Sequence, residues 1–127
     1  MIKYNLFLFL LLCPFFTFSK EIRCGWLENP TPSNIWLADK DGEWVISLQG
    51  DREAIGIERL SGFSEKEYLN TNGNYGYGCA CLLVDIDKAG GFITKIYHSD
   101  NVSLAKCKND AALKATTSKI LKEYYEK

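Results

Sequence analysis

The chain has 127 residues, with 15 basic and 16 acidic side chains and a formal net charge of −1. This near balance argues against the strongly basic patch of a nucleic-acid-binding domain, so we expect no nucleic-acid partner. A chain of this length corresponds to one domain, which buries a modest core and gains much from covalent crosslinks.

The first nineteen residues have the layout of a signal peptide. Lys3 precedes an apolar block over 6–18, and small residues stand at Thr17 and Ser19, a pattern typical of cleavage by signal peptidase. The block has about 13 residues, fewer than the ~20 of a transmembrane helix. We predict cleavage after Ser19, which leaves residues 20–127 as a single domain exported to the periplasm and not spanning a membrane.

Four cysteines remain after removal of the leader, and they predict two disulfides: Cys24, Cys79, Cys81 and Cys107. On a strand, residues 79 and 81 point to the same side about 6.6 Å apart, whereas bridged β-carbons lie ~3.5 to 4.5 Å apart. Cys24 and Cys107 should therefore each reach one of that pair, and the spacing leaves open which reaches which. The C-x-C spacing matches neither a zinc site nor a redox dithiol, so we predict no metal and no cofactor.

The middle of the chain reads as a series of short strands. Asp41 and Gly42 form a favoured hairpin turn between two apolar runs. In the second run, Trp44, Ile46 and Leu48 alternate with Glu43, Ser47 and Gln49, which predicts burial of one face. We expect a further strand over 54–60.

Residues 75–87 form the longest predicted strand. Its tyrosines and cysteines lie on one side, and Ala80 and the aliphatic residues that follow lie on the other. Gly76 and Gly78 leave the start of the aliphatic side bare, which indicates close approach of another backbone or ring. Residues 92–98 are predicted to pair with this strand.

A helix is predicted at the C-terminus, capped by Asn109 or Asp110. One face carries an apolar stripe, formed by Leu113, Thr117, Ile120, Leu121 and Tyr124. The predicted fold class is mainly β (α+β): an antiparallel sheet of five to six strands, curled or folded into a small β-sandwich, with this one helix and two disulfides.

Catalytic signals are weak, and we predict no catalytic residues. His98 is the sole histidine, and an imidazole needs a nucleophile held against it to act as a base. Asp85 and Asp87 could form the carboxylate pair of a glycosidase. However, aspartates beside glycine and lysine are ordinary turn residues, and we expect a protein that is not an enzyme.

Binding is the expected activity, and five residues are candidates for it: Trp36, Asp39, Asp41, Tyr75 and Tyr77. Tyrosines beside glycines near a turn supply amphipathic rings to a recognition surface. The alternative for these rings is packing over the disulfides. Acidic turns attract a cationic partner, and the alternative for them is solubility alone.

Two segments resemble an uncharacterised family of small exported bacterial proteins. The first, CGWLENPTPSNIWLADKDGEWVISLQG, covers 24–50, and the second, TNGNYGYGCACL, covers 71–82. The resemblance extends over nearly all of the mature chain, with Asp51 as a departure where a second glycine would follow Gly50. It implies a bacterial, periplasmic protein, and it implies no activity or ligand.

We therefore expect a periplasmic, non-enzymatic binding protein. The leading hypothesis is an inhibitor or immunity protein whose protein partner is a secreted or periplasmic hydrolase that degrades the cell wall, such as a lysozyme-like enzyme or a peptidoglycan hydrolase. The alternatives are a glycan- or peptidoglycan-binding module and a structural envelope protein.

Overall fold

The computed structural model describes residues 20–127 as seven strands and two α-helices with short 3-10 turns between them. The predicted leader, including the apolar block and Cys13, lies outside the described residues. The strands are β1 Glu21–Thr31, β2 Asn34–Asp39, β3 Gly42–Leu48, β4 Arg52–Glu53, β5 Tyr68–Asn72, β6 Tyr75–Asp87 and β7 Phe92–Val102; the helices are α1 Leu104–Lys108 and α2 Lys114–Glu126.

The sheet curls until its two edges meet. Strands β1, β2 and β3 form an antiparallel meander, and β1 also pairs with β6, which pairs with β7. Strand β7 then returns to β3 through one parallel bridge between Val45 and Phe92. The mainly β fold and the curled sheet are confirmed, whereas the expectation of a wholly antiparallel sheet is wrong at this seam.

The segment expected as a strand over 54–60 instead completes the seam between β3 and β7. Ala54 N–H donates to the carbonyl of Ile46 at 2.8 Å, and Ile55 N–H donates to the carbonyl of Thr94 at 3.0 Å. Gly56 then turns with φ 82°, and a Cβ there would overlap the carbonyl of Ile96. Because of that left-handed turn, the chain continues as a 3-10 turn and the predicted strand ends early.

Two apolar layers result from the period-two alternation of the strands. The interior of the barrel holds Trp44 and Ile46, as their alternation predicts, together with the aliphatic side of β6. The outer face of β1 and β6 carries Trp26 and Tyr77 and is covered by the two helices. The longest strand is β6, as predicted, and β7 pairs with it over a longer range than expected.

Helix α2 and the 3-10 turn before it cover this outer face with the predicted stripe, of which Leu113, Thr117 and Ile120 are buried. The Asp110 side chain accepts the N–H of Ala112 at 2.9 Å and caps the 3-10 turn that leads into the helix. The indole N–H of Trp26 donates to the hydroxyl of Thr117 at 2.8 Å and joins helix to barrel.

The disulfides join Cys24 to Cys81 and Cys79 to Cys107. Cys24 lies directly opposite Cys81 in the register of β1 and β6, and Cys107 lies in α1. Both crosslinks converge on β6, which confirms that the C-x-C cysteines pair with the two distant ones. Among the described residues, no helix has the length and apolar character needed to cross a bilayer.

Candidate functional site

A cleft of about 610 Å³ opens at one end of the barrel, and we call it the mouth cleft. It lies where the ends of β1 and β5 meet the loop that precedes β5. Its walls are formed by Leu27, Asn29, Ile35, Leu60, Ser61, Gly62, Phe63, Glu65, Tyr68, Asn70 and Asn74. This volume falls within the range of small-ligand sites, which are often found at the mouths of barrels.

The aromatic wall of the mouth cleft is built on a glycine of β6. A Cβ at Gly78 would overlap the Phe63 ring, so only glycine lets this ring lie against the strand. Tyr68 stacks on Phe63 with ring centroids 5.2 Å apart and an interplanar angle of 17°. At Gly76, a Cβ would overlap the carbonyl of Leu69. The predicted close approach of a ring and a backbone is therefore confirmed.

Two side-chain amides hold the loops around the mouth cleft in place. Asn101 donates from Nδ2 to the carbonyls of Ser61 at 3.1 Å and Gly62 at 3.0 Å, which fixes the loop that carries Phe63. On the other side, Asn72 donates from Nδ2 to the carbonyl of Pro30 at 3.2 Å and joins the β5–β6 turn to the end of β1. The cleft is thus preformed by bonds between loops.

The rim of the mouth cleft is polar. Three of its residues carry side-chain amides, Asn29, Asn70 and Asn74, and Glu65 adds a carboxylate. The Asn29 amide nitrogen donates to the carbonyls of Thr31 and Asn34, so Asn29 offers a ligand only its oxygen. Asn70 donates one amide hydrogen to the carbonyl of Gly73 at 3.0 Å and keeps the other. Burial raises the pKa of Tyr68 above the ordinary value of a phenol. An aromatic wall with an amide rim can bind a neutral polar molecule that has an apolar face.

A second cleft, of about 380 Å³, lies at the opposite end of β1 around Arg23, and we call it the Arg23 cleft. The guanidinium of Arg23 contacts three carboxylates: Glu21 at 2.8 Å, Asp39 at 3.1 Å and Asp41 at 2.6 Å. The two aspartates predicted to attract a partner therefore lie together here. Asp39 is buried and Asp41 is exposed. The negative charge of Asp39 is therefore paired with Arg23 inside the fold.

The three predicted aromatic binding residues lie elsewhere, on the outer strand faces. Tyr77 is 4% exposed, and its hydroxyl donates to Glu123 of α2 at 2.7 Å. Burial raises the pKa of Tyr77, and the hydrogen bond to the Glu123 carboxylate raises it further. Trp36 and Tyr75 are half-buried. The structure brings none of the three into the mouth cleft or the Arg23 cleft, and Tyr77 presents no open ring to a ligand.

Glu28 is a buried acid between two of these rings. It pairs across β1 with Trp36 on one side and Tyr77 on the other, and it is 1% exposed. Burial, and next the carboxylate of Glu43, raise the pKa of Glu28 to about 8. Because this carboxyl is closed to solvent and lines neither cleft, it is placed for a role in stability rather than in contact with a substrate.

Sequence reasoning missed the residues of the mouth cleft, because they come from segments far apart in the chain. The bare glycine face of β6 predicted that a ring would approach, and that signal could have led to Phe63. No periodicity marks Asn29, near the end of β1, or Asn74, in the turn between β5 and β6. In the described part of the chain, no group of three metal-ligating side chains is arranged to hold an ion.

Comparison with known proteins gives a family. The family model described as "Protein of unknown function (DUF4087)" matches residues 18–114. The chain belongs to this family. The DUF4087 match includes all seven strands and α1, and it ends at the first residue of α2. No curated protein and no solved structure matches the chain.

Proposed function

We propose that this DUF4087 protein is an exported, non-enzymatic binding protein and that its mouth cleft holds a cell-wall saccharide. The observation that supports this proposal is the stacked pair of Phe63 and Tyr68 beside an amide rim. Two disulfides are the expected crosslinks of a small domain in the oxidising periplasm. Export through a signal peptide is part of the proposal.

The chemistry of a sugar ring matches that of the mouth cleft. A sugar has an apolar C–H face, which packs on an aromatic ring, and a rim of hydroxyls, each of which can donate and accept hydrogen bonds. The side chains of Asn70 and Asn74 offer both a donor and an acceptor, and that of Asn29 offers an acceptor. Loops already held by Asn101 and Asn72 lose little conformational freedom on binding, which favours affinity.

Calorimetric titration with short N-acetylglucosamine oligosaccharides, and sedimentation with purified sacculi, test the proposal. We expect Asn74→Ala to weaken binding by about three- to tenfold, since it removes one hydrogen-bonding group. Tyr68→Ala should weaken it by about tenfold or more, since it removes a ring contact. Tyr125→Ala removes an exposed tyrosine outside the cleft and is the matched control.

The outcomes separate clearly. Binding that is lost in the two cleft variants and kept in Tyr125→Ala supports the proposal. Wild-type protein that binds neither oligosaccharides nor sacculi, or that binds them equally well in all three variants, contradicts it.

A second candidate function is inhibition of a cell-wall-degrading hydrolase through the Arg23 cleft. The observation that favours it is Ile22, which is 72% exposed beside the exposed carboxylate of Asp41. A large apolar side chain next to oriented charges is typical of a protein-binding surface. The partner would present a basic segment to this cleft.

Inhibition assays with lysozyme-like enzymes and peptidoglycan hydrolases test this second candidate. Ile22→Asp and Asp41→Lys should each weaken inhibition by about tenfold or more, as expected for central interface residues. Ile55→Asp changes another exposed isoleucine outside the cleft and should have no effect. Equal loss in Ile22→Asp and Ile55→Asp, or no inhibition by the wild type, argues against this candidate.

A further inference from the structure

The two disulfides differ sharply in their exposure to solvent. Cys79 and Cys107 are each 2% exposed, between the barrel and α1. Cys24 is exposed and Cys81 is half-buried, so the sulfur of Cys24 can be reached from outside. Attack on a disulfide needs access to one of its sulfurs, and exposed disulfides are the ones that exchange with thiols.

A cleft of about 530 Å³ leads to this exposed disulfide, and we call it the disulfide cleft. All four cysteines border it, with Val102 at the end of β7 and Lys106 of α1. The volume of the cleft exceeds that of a single side chain. Asp110 also borders the cleft, and its side chain accepts the N–H of Ala112. The ammonium of Lys106 is the group in this lining that favours the thiolate form of a nearby cysteine.

We propose that Cys24–Cys81 is a site of thiol exchange with a dithiol oxidoreductase that reaches Cys24 through the disulfide cleft. A thiolate of the oxidoreductase attacks the sulfur of Cys24 and forms a mixed disulfide, and Cys81 leaves as a thiolate that takes a proton from water. The second thiolate of the oxidoreductase then attacks the mixed disulfide and releases Cys24. The oxidoreductase is thereby oxidised to a disulfide, and Cys24 and Cys81 together gain its two electrons.

The reduced protein keeps its fold, because other bonds hold the same elements. Strand β1 stays paired with β6 from Glu21 to Asn29, and α1 remains joined to β6 through Cys79–Cys107. Cys24 also borders the Arg23 cleft. Opening this disulfide therefore frees the Cys24 side chain at the edge of that cleft while the backbone of β1 stays in place, which makes the surface around Arg23 sensitive to the redox state.

The test treats native protein with a thioredoxin-like dithiol protein, and in parallel with dithiothreitol, and then alkylates the free thiols and maps them by mass spectrometry. We expect labelling of Cys24 and Cys81 at least about tenfold faster than labelling of Cys79 and Cys107, with an unchanged circular dichroism spectrum. Equal rates for all four, or labelling only in urea, overturns the proposal. Reduction by dithiothreitol but not by the protein dithiol also overturns it, since the cleft then admits no protein.

A trapping experiment tests the direction of attack. An oxidoreductase whose second cysteine is replaced by serine should form a stable mixed disulfide with the wild-type protein at Cys24. The double variant Cys24→Ser/Cys81→Ser retains only the buried disulfide and should form none. The effect of the Lys106 charge is tested by Lys106→Glu, which should slow formation of the mixed disulfide. Lys108→Glu changes a lysine of α1 outside the cleft and is the control for this variant. Trapping through Cys79 or Cys107 overturns the proposal.

Discussion

The buried carboxyl of Glu28 makes the stability of this fold depend on pH. Burial and the carboxylate of Glu43 raise the pKa of Glu28 from 4.5 to about 8. Between these two pH values, the folded protein retains a proton that the unfolded chain has released. The stability that Glu28 contributes is therefore fully present below about pH 4.5, and it is lost as the pH rises through about 8.

The change in the free energy of unfolding can be calculated from the rise in the pKa of Glu28. One pKa unit corresponds to about 1.36 kcal/mol, so a rise from 4.5 to about 8 corresponds to roughly 5 kcal/mol over the full range. Entry of water and relaxation around the carboxylate reduce such a figure. We expect the free energy of unfolding to fall by about 2 to 4 kcal/mol between about pH 5 and about pH 9.

Urea unfolding followed by tryptophan fluorescence at a series of pH values measures this slope. The variant Glu28→Gln carries a neutral amide of nearly the same shape, and its stability should be nearly independent of pH in this range. Glu126→Gln changes an exposed glutamate of α2 and should keep the wild-type slope. A wild-type protein with constant stability, or a Glu28→Gln variant with the full slope, would refute the assignment.

Three further substitutions test the packing by urea unfolding. Thr117→Val removes the buried acceptor of the Trp26 indole N–H and should lower the free energy of unfolding by about 1 to 3 kcal/mol. An unchanged midpoint of urea unfolding would contradict this hydrogen bond. Gly78→Ala places a methyl group where the Phe63 ring lies. It should lower the free energy of unfolding by about 1 to 3 kcal/mol and weaken saccharide binding. Wild-type behaviour in both assays would count against the position of this ring. Arg23→Leu leaves the buried carboxylate of Asp39 without its cation. It should lower the free energy of unfolding by about 3 kcal/mol, more than loss of an exposed ion pair would. A loss below about 1 kcal/mol would mean that water pairs with that carboxylate.

The strands that could be predicted are those whose alternation is local. Trp44 and Ile46 show the period of two within a few residues, and β6 shows it over its whole length. The alternation also placed Cys79 and Cys81 on one face, which is why their separate partners could be inferred while the choice of partner stayed open. That choice depends on the register of β1 against β6, and no short segment contains it.

Closure of the barrel could not be predicted for the same reason. The seam joins Val45 to Phe92 across a long stretch of chain, and Ala54 and Ile55 bridge it through backbone atoms. Backbone hydrogen bonds leave little trace in residue types. Burial of Glu28 was equally hidden, because an isolated glutamate in a polar-looking segment normally faces water.

The structure accounts for the sequence YGYGCAC by the two faces of one strand. On the inner face, Gly76 and Gly78 admit a backbone and the Phe63 ring, which forms the wall of the mouth cleft. On the outer face, Cys79 and Cys81 hold α1 and β1. Since Gly78 and Cys79 are adjacent, a shift of β6 by one residue would place cysteines against the ring and glycines against the helix. The two disulfides therefore support the register that the mouth cleft requires. Loss of both, unlike the opening of Cys24–Cys81 alone, should disturb that cleft through β6 even though no cysteine lines it.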